Sequence, residues 1–76
     1  MTLYEFSNLN EREQAEVIWR ALLVSIREDD EHRILLYQID DFYVDVYFHK
    51  EFNVIRLFLP FKTKRQLAPF YNITLN

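Results

Sequence analysis

The sequence predicts an α+β fold: an N-terminal helix packed on a three-stranded antiparallel β-meander, followed by a short C-terminal helix. Three observations predict it. Apolar residues recur at helical spacing after Asn10, three apolar-rich segments lie between Arg33 and Pro60, and a second capping-box pattern begins at Thr63. With 76 residues, the chain is expected to form a single domain spanning residues 1–76.

The first helix is predicted to begin after Asn10, whose side chain can cap it while Glu13 completes a capping box. It is expected to continue to the acidic cluster that begins at Glu28, because negative charges oppose the carboxyl end of the helix dipole. The predicted apolar stripe comprises Ala15, Ile18, Trp19, Leu22 and Ile26. The preceding residues either dock as a short lead-in or add an edge strand from Thr2 to Phe6.

Three strands are predicted at Arg33 to Ile39, Phe42 to His49 and Val54 to Pro60. A two-residue Asp40-Asp41 turn places Ile39 opposite Phe42 and fixes the register of the first hairpin. Because the chain has no glycine, Asn53 is expected to adopt the left-handed conformation at the second turn. The predicted core consists of Trp19, Leu22 and Ile26 packed on Val44, Val46, Leu57 and Leu59, with Phe42, Phe48 and Ile55 on the same sheet face.

The opposite, outer sheet face is the predicted interaction surface. Its candidate interface residues are Ile34, Leu36, Tyr43, Asp45, Tyr47, Arg56 and Phe58. A solvated face would normally alternate to polar residues, whereas aromatic and branched aliphatic residues dominate here, with Asp45 and Arg56 expected to pair across strands. Three possibilities remain open for what covers this face: the C-terminal segment, a second copy in a symmetric dimer, or another protein or small ligand.

The C-terminal segment is predicted to form a short helix. Thr63 and Gln66 make a capping box that opens a helix through Ala68, and Pro69 ends or kinks it. The apolar residues expected to cover an edge of the core are Leu67, Phe70, Tyr71 and Ile73.

Composition narrows the chemistry that the chain can perform. The absence of cysteine excludes disulfides, thiolate metal sites and cysteine catalysis, and the absence of glycine excludes the usual phosphate-binding loops. A net charge of −3 argues against nonspecific nucleic-acid binding. The basic cluster of Lys62, Lys64 and Arg65 is interpreted as a solvated helix turn.

No catalytic, cofactor-binding or metal-binding residues are predicted. Ser7 and Ser25 are the only serines, and neither has an evident histidine partner. The acidic clusters match no calcium-binding pattern. His32 and His49 lack helical spacing, and His49 is interpreted as an ordinary surface residue at a strand end. An enzyme is therefore not expected.

The segment from Leu36 to Asn53 resembles the centre of a group of small uncharacterised bacterial proteins. In that group a helix precedes an L-Y-Q-(I/L)-D-x-F-Y-V-(D/E)-V-Y-Y core, and a Leu-x-Pro-(Tyr/Phe) segment closes the chain. Leu67-Ala68-Pro69-Phe70 fits this ending. The resemblance implies a shared helix, three strands and a short helix. It implies no activity, so it assigns no functional residues.

The predicted function is a non-catalytic protein–protein interaction module, homodimeric through the outer face. Tyr43, Tyr47, Arg56 and Phe58 are the expected anchors, because large rings and arginine dominate interface energies. The alternative is a binder of a small ligand or single-stranded nucleic acid that uses the same face. The sequence shows no signal pattern and no apolar run near the ~18 residues of a membrane helix, so a cytoplasmic location without membrane association is expected.

Overall fold

A computed structural model describes residues 1–62, which form two helices and one four-stranded antiparallel sheet. The elements are α1 (Leu3–Ser7), α2 (Glu11–Ile18), β1 (Leu22–Glu28), β2 (His32–Ile39), β3 (Phe42–His49) and β4 (Val54–Phe61). Neighbouring strands pair in the order β1-β2-β3-β4. The α+β class agrees with the sequence, but the predicted three-stranded meander is wrong because a fourth strand precedes the other three.

The helix predicted from Asn10 to the acidic cluster is much shorter in the structure. Its capping box forms as expected: Asn10 Oδ1 accepts from the Glu13 N–H at 2.9 Å, and the Glu13 carboxylate accepts from the Asn10 N–H at 3.0 Å. The helix ends at Ile18, and the Ala21 N–H donates to the Ile18 carbonyl at 3.0 Å. The chain then enters β1 at Leu22.

A β-bulge in β1 explains why this strand resembles a helix in the sequence. Leu23 pairs with Tyr37 and Ser25 pairs with Leu36, so Val24 is an extra residue. The bulge interrupts the alternation of apolar residues that marks a strand. Leu22 and Ile26 are four residues apart in the sequence, which is the spacing of an apolar helix stripe, whereas the bulge places them on opposite faces of the sheet.

The residues before Asn10 dock on the sheet as the short helix α1. The alternative prediction for them, an edge strand from Thr2 to Phe6, is wrong. Thr2 caps α1 in a second capping box with Glu5. Phe6 is fully buried, at 0% exposure, and its ring lies 5.8 Å from that of Phe42.

The hairpin of β2 and β3 has the predicted register. Ile39 lies opposite Phe42 across the Asp40-Asp41 turn, and the pairing continues to the far end of both strands. Asp40 and Asn53 have positive φ values of 51° and 54°, so aspartate and asparagine supply the left-handed positions of this glycine-free chain.

The predicted facing of the last strand is wrong beyond residue 56. Tyr47 pairs with Leu57, whereas Phe48 pairs with Ile55, so Arg56 is the extra residue of a second bulge. One extra residue moves every later side chain to the opposite face. Phe58 therefore lies opposite Val46 on the core face, while Leu57 and Leu59 lie on the outer face.

The core lies between the two helices and one face of the sheet. Its buried members are Phe6, Ile18, Ile39, Phe42, Val44 and Val46. The predicted packing of Trp19, Leu22 and Ile26 is wrong, because their exposures are 74%, 65% and 55%. An eight-residue helix is about 12 Å long and an eight-residue strand about 26 Å, so α2 covers only part of the sheet.

Several predictions lie outside the described residues. These are the short helix from Thr63 to Ala68, its end at Pro69, and the covering role of Leu67, Phe70, Tyr71 and Ile73. The same holds for the possibility that the C-terminal segment covers the outer face. Within residues 1–62, no helix combines the length and apolar character needed to cross a membrane.

Candidate interaction surfaces and the histidine pair

The seven predicted interface residues do not share one exposed surface. Ile34, Leu36 and Asp45 are buried, and Asp45 is only 1% exposed. Tyr43 and Tyr47 are half-buried on the same outer face. Arg56 is exposed at the bulge of β4, and Phe58 lies on the core face. The centre of the outer face is therefore interior, and only its flanks keep surface that a partner could contact.

Phe61 is an outer-face residue that the sequence analysis did not identify. Its ring stacks on that of Tyr43, with a centroid separation of 5.5 Å and an interplanar angle of 18°. Together with Leu36, these two rings form a second apolar cluster, separate from the helix-covered core. The prediction missed Phe61 because the bulge at Arg56 determines which face it occupies.

The buried carboxylate of Asp45 lies beside an arginine from a different strand than predicted. Arg27 Nη2 lies 3.6 Å from Asp45 Oδ2, whereas Arg56 was the expected partner. Arg27 reaches the outer face because β1 places it opposite Ile34. Burial raises the pKa of Asp45 to about 6, although the positive charge of Arg27 opposes this shift. Burial also raises the pKa of Tyr47, and the nearby Asp45 carboxylate adds to that effect.

The outer edge of β1 is the most exposed apolar element of the sheet. Four of its seven residues are large, exposed apolar side chains, namely Leu22, Leu23, Val24 and Ile26. Within residues 1–62, no strand pairs with this edge. Proteins usually protect such an edge with proline, lysine or a covering element.

The other edge of the sheet is better protected. β4 contains Pro60, which cannot donate a backbone hydrogen bond, and α1 contacts this strand. Of the two edges, only β1 combines an apolar sequence with the absence of proline and lysine. The sequence analysis missed this surface because it assigned these residues to a helix.

The core face of the sheet also has a part that the helices leave open. A groove of about 490 Å³ lies there, lined by Arg33, Leu35, Phe48, His49, Lys50 and Asn53. Its two cationic side chains are engaged by one carboxylate. Arg33 Nε lies 2.9 Å and Lys50 Nζ 3.3 Å from the Glu28 carboxylate oxygens, and these cations hold the pKa of Glu28 below its usual range.

The two histidines of the chain come together at the open end of the β2–β3 hairpin, opposite the Asp40-Asp41 turn. His32 lies directly opposite His49, and their ring centroids are 5.8 Å apart. His32 Nδ1 lies 3.5 Å from Asp29 Oδ1, and His49 Nδ1 accepts from the Phe52 N–H at 3.4 Å. The sequence analysis treated His49 as an isolated surface residue, although the hairpin register that it derived predicts this pairing.

The chain matches no known protein-family model, no curated protein and no solved structure. The resemblance to small bacterial proteins therefore stays a prediction. In the part of the chain that the structure describes, the fold and surfaces define a small antiparallel-sheet protein with one apolar edge strand that no other strand pairs.

Proposed function

We propose that this protein is a non-catalytic interaction module that forms a homodimer by antiparallel pairing of β1 with β1 of a second copy. The observation that carries the proposal is the exposed β1 edge, with its four apolar side chains. The outer face, predicted from the sequence, supports a dimer less well because Ile34, Leu36 and Asp45 at its centre are buried. A cytoplasmic location belongs to the proposal on sequence grounds alone.

Addition of a strand suits this edge because the new strand would pair the free backbone N–H and C=O groups and cover the exposed apolar side chains at the same time. An unpaired edge presents a row of N–H and C=O groups, and a second strand supplies their partners. Two copies joined at β1 would form one continuous eight-stranded sheet. Twofold pairing covers the β1 edge of both copies, and the β4 edges at the two ends of the joined sheet carry Pro60 and the contact with α1, so the assembly stops at two copies.

Apolar and charged residues both favour antiparallel pairing centred on Ser25. In that register Val24 of each copy lies opposite Ile26 of the other, so two apolar pairs flank the twofold axis. Arg20, just before β1, lies opposite Asp30 of the second copy. The acidic segments at residues 28–31 lie at opposite ends of the dimer, whereas parallel pairing would set these like charges side by side.

Replacing Ser25 by Cys is expected to give a disulfide-linked dimer under mild oxidation, because the proposed twofold axis brings the two copies of this residue together. Directly opposite Cα atoms in antiparallel strands are about 4.5–5.5 Å apart, within the range that a disulfide spans. The chain contains no other cysteine, so nonreducing electrophoresis measures this link alone.

The matched control is Ser7→Cys. Ser7 is the only other serine in the sequence, and it is also exposed but lies on α1. Ser25→Cys should cross-link efficiently at low micromolar concentration, whereas Ser7→Cys and the denatured Ser25→Cys chain should not. Equal cross-linking of both variants, or light scattering that gives a monomer mass at every concentration tested, would refute the proposal.

Replacing Val24 by Lys is expected to dissociate the dimer while leaving the fold intact. The residue is exposed in one chain, so its replacement costs little folding stability, but two lysines beside the twofold axis would repel each other. Sedimentation or light scattering should show a monomer, with an unchanged circular dichroism spectrum.

Tyr4→Lys is the control for this charge change. Tyr4 is 76% exposed and lies in α1, which contacts the opposite edge strand. This variant should remain dimeric. A Val24→Lys protein that is folded and still dimeric would place the interface elsewhere.

A further inference from the structure

We infer that His32 and His49 together form a binding site for a divalent transition-metal ion such as Ni²⁺, Cu²⁺ or Zn²⁺. They are the only two imidazole groups in the chain, and folding makes them cross-strand neighbours. Neutral imidazole is a ligand that suits these three metals. The inference concerns the open end of the β2–β3 hairpin, away from the Asp40-Asp41 turn, and does not depend on the proposed dimer.

The register places the two side chains in the closer kind of cross-strand pair. In an antiparallel ladder, hydrogen-bonded and non-hydrogen-bonded pairs alternate, and side chains approach more closely in the second kind. The Lys50 N–H donates to the Glu31 carbonyl at 2.9 Å, so the next pair along the hairpin, His32 and His49, is non-hydrogen-bonded. Their side chains therefore lean toward one another on the same sheet face.

The ring separation is close to what one shared metal ion requires. With Zn–N distances of about 2.0–2.1 Å and a tetrahedral angle, the centroids of two ligating imidazoles lie roughly 5 Å apart. The observed separation is 5.8 Å with an interplanar angle of 77°. Small side-chain rotations are enough to close this difference, and both residues keep some exposure to solvent.

The contacts of the ring nitrogens differ between the two histidines. The Asp29 carboxylate lies beside His32 Nδ1, and the Phe52 backbone N–H donates to His49 Nδ1. His32 therefore offers Nε2 to the metal. His49 Nδ1 accepts a hydrogen bond, so neutral His49 carries its proton on Nε2. For His49 to bind through Nε2, that proton must move to Nδ1 and the 3.4 Å hydrogen bond from the Phe52 N–H must break. A carboxylate beside the ring nitrogen that does not bind the metal orients a metal-binding histidine, which makes Asp29 a positioning residue.

The site is expected to be labile. Among residues 1–62, no cluster of three or more histidine, cysteine, aspartate or glutamate residues could hold a metal ion. Two imidazoles therefore supply the protein ligands, and water completes the coordination sphere. Affinity should follow the usual order for nitrogen ligands, with Cu²⁺ bound more tightly than Ni²⁺ or Zn²⁺.

Isothermal titration calorimetry with Ni²⁺ tests the inference. We expect one ion per chain in the unmodified protein, and at least a tenfold weaker affinity in His32→Asn and in His49→Asn. Asp29→Asn should weaken binding less than either histidine variant, because it acts through His32. Asp30→Asn, at the exposed neighbour of Asp29, is the matched control for this charge change, and its affinity should be unchanged.

NMR gives an independent readout that a purely structural role would not produce. Substoichiometric Cu²⁺, a paramagnetic ion, should broaden the imidazole signals of His32 and His49 together before other signals. Absence of Ni²⁺ binding at millimolar concentration would overturn the inference, as would undiminished affinity in either histidine variant. A stoichiometry of one ion per two chains would also overturn it, because the ligands would then come from different copies.

Discussion

Phe6→Ala is expected to lower the free energy of unfolding by about 3–5 kcal/mol, the usual cost of truncating a fully buried phenylalanine. Phe6 is 0% exposed and contacts the Phe42 ring in the helix-covered core. A chain of 76 residues is expected to have a total stability of only about 4–11 kcal/mol. The variant should therefore be partly or largely unfolded at 37 °C.

The effect should be large because α1 cannot hold its position by itself. It has five residues, fewer than an isolated helix needs, so it depends on docking through Phe6. Tyr4→Ala in the same helix is the control, because this exposed residue should change stability by less than about 0.5 kcal/mol. Urea denaturation measures both, and Phe6→Leu keeps the comparison possible if the alanine variant does not fold. A cost below about 1 kcal/mol for Phe6→Ala would contradict the docked position of α1.

The central hairpin is predictable from sequence because its determinants are local. Apolar and polar residues alternate without interruption from Phe42 to His49, and a two-residue turn joins this strand to β2. Register then follows from the turn length, with no knowledge of the rest of the fold. The N-cap at Asn10 is equally local, since both of its hydrogen bonds join residues three apart.

Both edge strands contain a bulge, so β1 was assigned to a helix, and β4 was recognised as a strand but with the wrong facing beyond residue 56. The extra residue Val24 interrupts the alternation of apolar residues in β1. The extra residue Arg56 reverses the sheet face on which the later side chains of β4 lie. A bulge is defined by the pairing of two strands, so a single strand's sequence does not locate it. Neither bulge contains glycine, which would have marked it. The exposed side chains of β1 also carry little burial energy, so pairing with β2 determines its structure rather than an apolar stripe.

The predicted site was affected by the same two bulges. The sequence correctly placed Tyr43, Asp45 and Tyr47 on one face, because that face is set by β3 alone. It placed Phe58 there wrongly and omitted Phe61, since the bulge at Arg56 exchanges their faces. It paired Asp45 with Arg56 because residue 27 was assigned to a helix. The exposed edge of β1 was invisible for the same reason.

Asp45→Asn is expected to stabilise the protein by about 2–3 kcal/mol at pH 7.5, although it removes one member of a buried ion pair. Burial raises the pKa of Asp45 from 3.8 to about 6, so the folded state favours the protonated carboxyl even with Arg27 nearby. One pKa unit corresponds to about 1.4 kcal/mol. Asparagine resembles the protonated acid and avoids the cost of a buried negative charge.

The pH dependence of the unmodified protein tests the same argument. Between about pH 4 and pH 6 the folded chain holds a proton on Asp45 that the unfolded chain releases. The Asp45 contribution to the free energy of unfolding should therefore fall as the pH rises from about 4 to 6, by up to about 1.4 kcal/mol per unit, and level off above pH 6. Glu28 and Asp29 act in the opposite direction, but their lowered pKa values confine them to more acidic solution.

The difference between the two proteins isolates Asp45, because every other titrating group is common to both. Urea denaturation from pH 4.5 to 8 should show the smallest gap between the unmodified protein and Asp45→Asn at pH 4.5. The gap should widen until just above pH 6, the folded-state pKa of Asp45, and stay constant at higher pH. Arg27 also contacts Asp45. Arg27→Met should therefore lose the most stability relative to the unmodified protein at pH 8, because Asp45 is ionised there and the variant lacks the arginine that neutralises it. A gap that stays constant with pH would mean that Asp45 titrates alike in the folded and unfolded chains, and that burial does not control its charge.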